Sequence, residues 1–249
     1  MIKAEPDWLK AVADGELHEA ECRDFDLQES FDGVTFTDCA FSSVSFQCEE
    51  ISACSFIDCQ FRDVNFSSVS VRDCQFKNCH FYDSATETGP VFRFATVHGC
   101  LFERCDLSMA DFSRANLYRS EFLHCQMQGA DLTHLSIDST LGPRVQLFDF
   151  SADQTNLAYC DWTGAHLEQA SVTNCRLIHG VFNEVNLEGA TLTDNEMHGI
   201  SANGLALRGA DLRGSGLDGL DVRQIDMAGV TIDEGQQRPL LAALGIVIV

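Results

Sequence analysis

From Phe31 to Phe81 every fifth residue is large and apolar: Phe31, Phe36, Phe41, Phe46, Ile51, Phe56, Phe61, Phe66, Val71, Phe76 and Phe81. A helix would place its apolar stripe every three to four residues, and a half-buried strand would alternate. A step of five fits neither. It predicts an all-β solenoid in which each five-residue unit forms one flat side of a coil and then turns a corner, so that four units close one square turn. The same step runs from Phe92 to Ile232 in a single phase, through Phe102, Phe112, Phe122, Leu132, Leu147, Leu157 and Trp162, with only Gly142, Ala152 and Ala202 small.

Two residues before each large position sits a second, smaller inward one, as in Ala110-Asp-Phe, Ala130-Asp-Leu and Ala210-Asp-Leu. Large and small inward residues alternate, which lets a narrow tube fill without voids, and the other three positions of the unit face water. Ten of the 12 cysteines, all but Cys22 and Cys48, occupy this small position. They read as small buried hydrophobes equivalent to alanine, so that Cys→Ala is expected to cost little. Cys39, Cys59 and Cys79 are twenty residues apart and are expected to stack in one column. No Cys-x-x-Cys or Cys/His cluster has the spacing of a zinc site.

Two segments break the rhythm. Between Phe81 and Phe92 the step is eleven, and Tyr82, Asp83, Ser84, Ala85, Thr86, Glu87, Thr88, Gly89 and Pro90 read as a projecting loop. Around Leu141, Gly142, Pro143 and Arg144, within residues 138–150, the phase survives but the small positions are wrong, as expected for an insertion of a whole number of units. Both ends carry caps. Residues 1–30 form a lead-in with a short helix from Pro6 to Gly15, and residues 31–234 form the solenoid. Residues 235–249 form a C-terminal module, a short apolar helix followed by a strand-like tail. Its apolar residues Leu240, Leu241, Leu244, Ile246, Val247, Ile248 and Val249 exceed what one cap requires and are assigned to a two-fold homodimer interface.

Sixteen Lys and Arg against 38 Asp and Glu give a net charge of -22 and a pI near 4.4. Direct binding of nucleic acid or an anionic membrane is disfavoured, and a partner should present a basic face. No stretch opens the chain as a secretion signal, and the longest apolar run is far too short to span a bilayer, so a cytoplasmic location is expected. The eight histidines are scattered, and no nucleophile–base pair or phosphate loop appears. A packed tube offers no cleft, which argues against an enzyme and against any cofactor or metal.

The block Cys105-Asp-Leu-Ser-Met-Ala-Asp-Phe112, the segment from Cys74 to Asp83, Leu220-Asp-Val-Arg223 and the ending Leu240-Leu-Ala-Ala-Leu-Gly-Ile246 resemble the quinolone-resistance (Qnr, MfpA-like) pentapeptide-repeat proteins of bacteria. The resemblance implies a right-handed quadrilateral parallel β-helix with helical caps, a dimer through the C-terminal module, and a rod that mimics DNA. Such a rod binds DNA gyrase and topoisomerase IV and protects them from quinolone-type inhibitors, with the loops at Tyr82–Pro90 and Leu141–Arg144 as contact segments. Charge density is compatible. Two copies would carry 44 net negative charges, twice 22, over roughly 100 Å, where duplex DNA carries roughly 60. The alternative is a structural or adaptor solenoid that binds an unrelated basic protein.

Overall fold

The chain is a right-handed, four-sided parallel β-helix. The computed structural model describes residues 1–249 except 3, 4, 14, 142–144, 218, 219, 248 and 249. Phe36 lies in register with Leu17 before it and Phe56 after it, and the first wall continues through Phe76, Phe102, Phe122, Ala152 and Val172 as an eight-stranded parallel sheet. Single bridges carry that wall on through Thr191, Asp211 and Thr231. The second wall starts at Cys22, Phe41 and Phe61, and the third at Leu27 and Phe46. The fourth passes through Phe31, Ile51, Val71 and Val97. The solenoid therefore begins at Glu16, before Phe31, with a first coil one residue short.

The five-residue step works because most corners place one residue in the left-handed region, for example Asp38 (φ 52°), Asp58 (55°) and Asn78 (52°), after which the chain restarts at a right angle. Inside, equivalent phenylalanines stack with nearly parallel rings. Along the first wall the centroid spacings from Phe36 to Phe122 are 4.7, 4.8, 4.7 and 4.8 Å. A ring is about as thick as the strand spacing demands, so a column of identical rings packs at the native repeat without adjustment.

All 12 cysteines are free and buried. Cys22 fills a large position, opposite Phe41, and Cys48 turns inward one residue ahead of the regular small position. Equivalence with alanine holds at only one kind of corner. Where a corner closes by a turn, the N–H of the small residue donates within its own coil, as Ala110 does to Leu107 O (3.1 Å) and Ala130 to Met127 O (3.1 Å). At four corners of the other kind that N–H finds its acceptor in a side chain of the next coil. Cys54 N–H donates to Cys74 Sγ (3.4 Å), Cys125 N–H to Thr155 Oγ1 (3.2 Å), Cys175 N–H to Asn195 Oδ1 (2.8 Å) and Asn195 N–H to Ser215 Oγ (2.9 Å). Each of these side chains also donates to a carbonyl one coil back, Cys74 to Ile51 O and Ser215 to Leu192 O among them. Cysteine, serine, threonine and asparagine are used here because a buried N–H needs a partner. Burial pushes the Cys22, Cys160 and Cys175 thiols up to about 12, so they stay protonated and unreactive at neutral pH.

Leu147 departs from the inward phase read from the sequence. It is 37% exposed in an antiparallel hairpin, Asp138–Leu141 with Val145–Phe148, and the wall resumes where Ser120 pairs with Phe150 and Phe122 with Ala152. The inward sizes are exchanged at this level. Phe150 is buried in the small position and Ala152 stands in the large one, so total volume is kept. Ile200 and Ala202 repeat the exchange, half-buried against the core.

Helix Glu5–Ala11 closes the N-terminal end with Trp8, fully buried and stacked on Phe36 at 5.3 Å. At the other end Asp233 and Gln236 form a capping box, and Gln236 Nε2 donates to Leu212 O (2.6 Å) and Ser215 O (2.7 Å). Helix Gln237–Ala243 then lays Leu240 and Ala243 on the core. No strand forms at Ile246 and Val247.

Candidate functional site

Both insertions leave the tube at corners, and the register fixes which. The first lies between the second wall, at Phe81, and the third, at Phe92; the hairpin lies between the fourth wall, at Ile137, and the first, at Phe150. These corners are diagonally opposite. The coil opened by Phe122 follows that opened by Phe76 by two levels, or roughly 10 Å along the axis. The added lengths, six residues between Phe76 and Phe102 and ten between Phe122 and Ala152, leave the pairing on either side intact.

The first loop is a small closed unit. Asp83 and Thr88 exchange main-chain hydrogen bonds (2.9 and 3.3 Å), Asp83 Oδ1 accepts from Ala85 N–H (2.9 Å), and Thr86 and Thr88 share a hydroxyl bond of 2.7 Å. Ser84, Ala85, Thr86, Glu87 and Thr88 are exposed, Tyr82 and Gly89 are half-buried, and Pro90 is buried, its carbonyl accepting from Asp111 N–H (2.9 Å). Gly89 lies against the backbone of Ser108 and Met109, where a Cβ would collide. A groove of about 570 Å³ beside the loop is lined by Arg23, Asp24, Arg62, Asp63 and Asp83 with Ser42, Ser43, Thr86 and Thr88.

The hairpin is amphipathic with its apolar side turned outward. Leu141 pairs with Val145, and Ser139 with Leu147, so these four share one face, and the three apolar ones are exposed. Its base is held by Asn116 Nδ2 donating to Asp138 O (2.9 Å) and Arg119 N–H donating to Asp149 O (2.7 Å). Gly142, Pro143 and Arg144, expected contact residues, lie outside the described residues. The sequence predicts a loop here, whereas the structure has two paired strands with an apolar face, for which the even spacing of Leu141, Val145 and Leu147 is the signal.

The aspartates before the large positions do local work besides carrying charge. Asp106, Asp111, Asp131 and Asp161 each accept the N–H two residues on, at 3.1, 3.0, 3.0 and 2.9 Å, and so cap the corner that follows. Asp111, Asp131 and Asp161 are bridged neighbours along the third wall. Arg93 pairs with Asp111 (2.7 Å), and Arg223 holds the Asp221 carboxyl down at about 2. Of the residues assigned to a dimer interface, Leu240 packs on the core and Leu241 is half-buried. Leu244, Ile246 and Val247 are exposed, Val247 by 82%, and Ile248 and Val249 lie outside the described residues. Among the described residues no group of three or more His, Cys, Asp or Glu is placed to hold a metal ion, and no helix is long and apolar enough to cross a membrane.

Residues 51–83 and 98–133 match the family model for pentapeptide repeats, in eight copies. The pentapeptide repeat protein QnrB4 of Escherichia coli is 32% identical over 91 residues, a stretch covering 36% of this chain and 42% of that relative. The quinolone resistance pentapeptide repeat protein QnrB96 of Scandinavium goeteborgense matches with the same identity and coverage. Among solved structures, a trypsin-treated variant of QnrB1, a plasmid-mediated fluoroquinolone resistance protein, superposes with a TM-score of 0.69 and 25% identity, covering 94% of this chain and 97% of that one. HetL, a pentapeptide repeat protein involved in heterocyst differentiation regulation in Nostoc, shares the fold with a TM-score of 0.51 at 15% identity, covering 91% and 93%.

Proposed function

We propose that this chain, which is a pentapeptide-repeat protein similar to the Qnr quinolone-resistance proteins, binds the DNA-gate groove of a type II topoisomerase, gyrase or topoisomerase IV, and protects it from quinolones. The similarity to a fluoroquinolone resistance protein along 94% of the chain carries this reading. The charge supports it: a rod of net charge -22, with capped carboxylates in three successive coils of its third wall at Asp111, Asp131 and Asp161, presents an acidic surface to a basic saddle. The two loops stand at opposite corners, so each can reach a different side of a groove that holds the rod.

The test is gyrase supercoiling in the presence of ciprofloxacin. Adding the purified protein should restore supercoiling, and the protein should compete with DNA for gyrase at low salt. Neither competition nor rescue at low salt would replace this reading with an adaptor that serves a different basic partner. The site of action would be the cytoplasm, where the enzyme works.

The same reading includes a dimer. Leu244, Ile246 and Val247 leave an exposed apolar patch beyond the last coil, which a second copy related by a two-fold axis would cover. Removing residues 236–249 should give a monomer or aggregate by light scattering. An unchanged dimer after truncation would rule the C-terminal module out.

A further inference from the structure

On the side of the hairpin nearer the N-terminus, at the corner between the fourth and first walls, lies a notch of about 200 Å³ lined by Arg72, Asp73, His98, Gly99, Tyr118, Arg119 and Ser139. Three of these groups can carry positive charge and one is a carboxylate, on a chain whose balance is -22. Arg72 is engaged, donating to Glu50 Oε2 (3.0 Å) and Ser70 Oγ (2.9 Å). The Arg119 guanidinium, in contrast, has no hydrogen bond or ion pair among the described residues, while its main chain is fixed to Asp149 O at the foot of the hairpin. The hairpin also supplies Ser139 as one side of the notch.

We propose that this notch is a binding site for a single anionic oxygen-acid group, a carboxylate or a phosphate, with Arg119 as its principal donor. A guanidinium without a partner, set on a fixed main chain, presents a fork matched to two oxygens. The volume is below the roughly 300 Å³ at which drug-sized pockets begin, so it suits one such group. Tyr118 and His98, packed edge to face at 5.7 Å, form a half-buried floor that reduces competition from water.

His98 gives the site a spectroscopic reporter. Asn116 Nδ2 donates to Asp138 O, so Asn116 Oδ1 turns to accept from Tyr118 N–H (3.0 Å) and from His98 Nε2–H (3.1 Å). Nδ1 is therefore the nitrogen that titrates. Burial holds this imidazole below its ordinary pKa. The bond to Asn116 pulls the other way, Arg72 adds to the depression, and Asp138 and Asp73 oppose it. An anion bound beside it would favour the imidazolium and raise that pKa.

The experiment follows the His98 ring signals of the full-length protein by NMR during titration with sodium phosphate or sodium acetate, against sodium chloride at matched ionic strength. A saturating shift with a raised His98 pKa is expected. In Arg119→Gln the apparent affinity should fall about tenfold or more, with partial retention in Arg119→Lys and melting temperatures unchanged in both. Saturation by both anions identifies a site that takes carboxylates as well as phosphates, and saturation by phosphate alone a phosphoryl site. A response no greater than the chloride control, or one preserved in Arg119→Gln, overturns the proposal.

Discussion

Replacing Cys74 by arginine should abolish folding, replacing it by alanine should cost about 1–2 kcal/mol, and replacing it by serine should cost less than alanine. Cys74 is fully buried in the tube, where a guanidinium would be both overpacked and unpaired. Alanine fits the space but leaves the Cys54 N–H without the acceptor that Cys74 Sγ provides. Serine keeps an acceptor at that place, as Ser215 does for Asn195. The same alanine substitution is harmless in principle at corners like that of Ala110, whose N–H is satisfied inside its own coil. Urea denaturation of the three variants checks the order. Equal stability of the alanine and wild-type proteins would show that the next-coil acceptor contributes nothing.

Excising Ser84–Thr88 and joining Asp83 to Gly89 should cut protection of gyrase from a quinolone by about tenfold while changing binding by about twofold or less. The ends to be joined are already adjacent, because Asp83 and Thr88 are hydrogen-bonded, and the anchor at Gly89 and Pro90 is retained. Binding in the proposed function comes from the charge of the walls, so it should weaken steeply with salt in wild type and variant alike. Protection depends on what the loop reaches. Gly89→Ala tests the same point with one methyl: the added Cβ meets the Ser108 and Met109 backbone and must displace the loop, which should also lower protection. Loss of binding in parallel with loss of protection would place the loop's role in attachment instead.

The relation between chain and fold is uneven along this molecule. The five-residue step of Phe31 to Phe81 determined a four-sided solenoid by itself, because each unit is a local geometric instruction and neighbours only repeat it. The first loop was legible for the same reason: a missing beat at Tyr82–Pro90 marks an insertion wherever it occurs. The Qnr resemblance agrees with curated relatives of that name, 32% identical over 91 residues, and the alternation of Ala with Cys located the inner column.

What that column does was decided only in three dimensions. Whether Cys74 is a substitute alanine or a necessary acceptor depends on the Cys54 N–H one coil away, and twenty residues of sequence separate them. The hairpin shows the same limit. A ten-residue insertion preserves a period of five, so Leu147 looked inward although no wall exists there. Only strand pairing reveals that Leu141, Val145 and Leu147 share an outer face, and that Phe150 and Ala152 have exchanged sizes. The notch around Arg119 joins residues from three successive coils and the hairpin, each unremarkable in its own unit. Periodicity records what each residue shares with its equivalents, and a site is made from the differences between them, brought together by stacking.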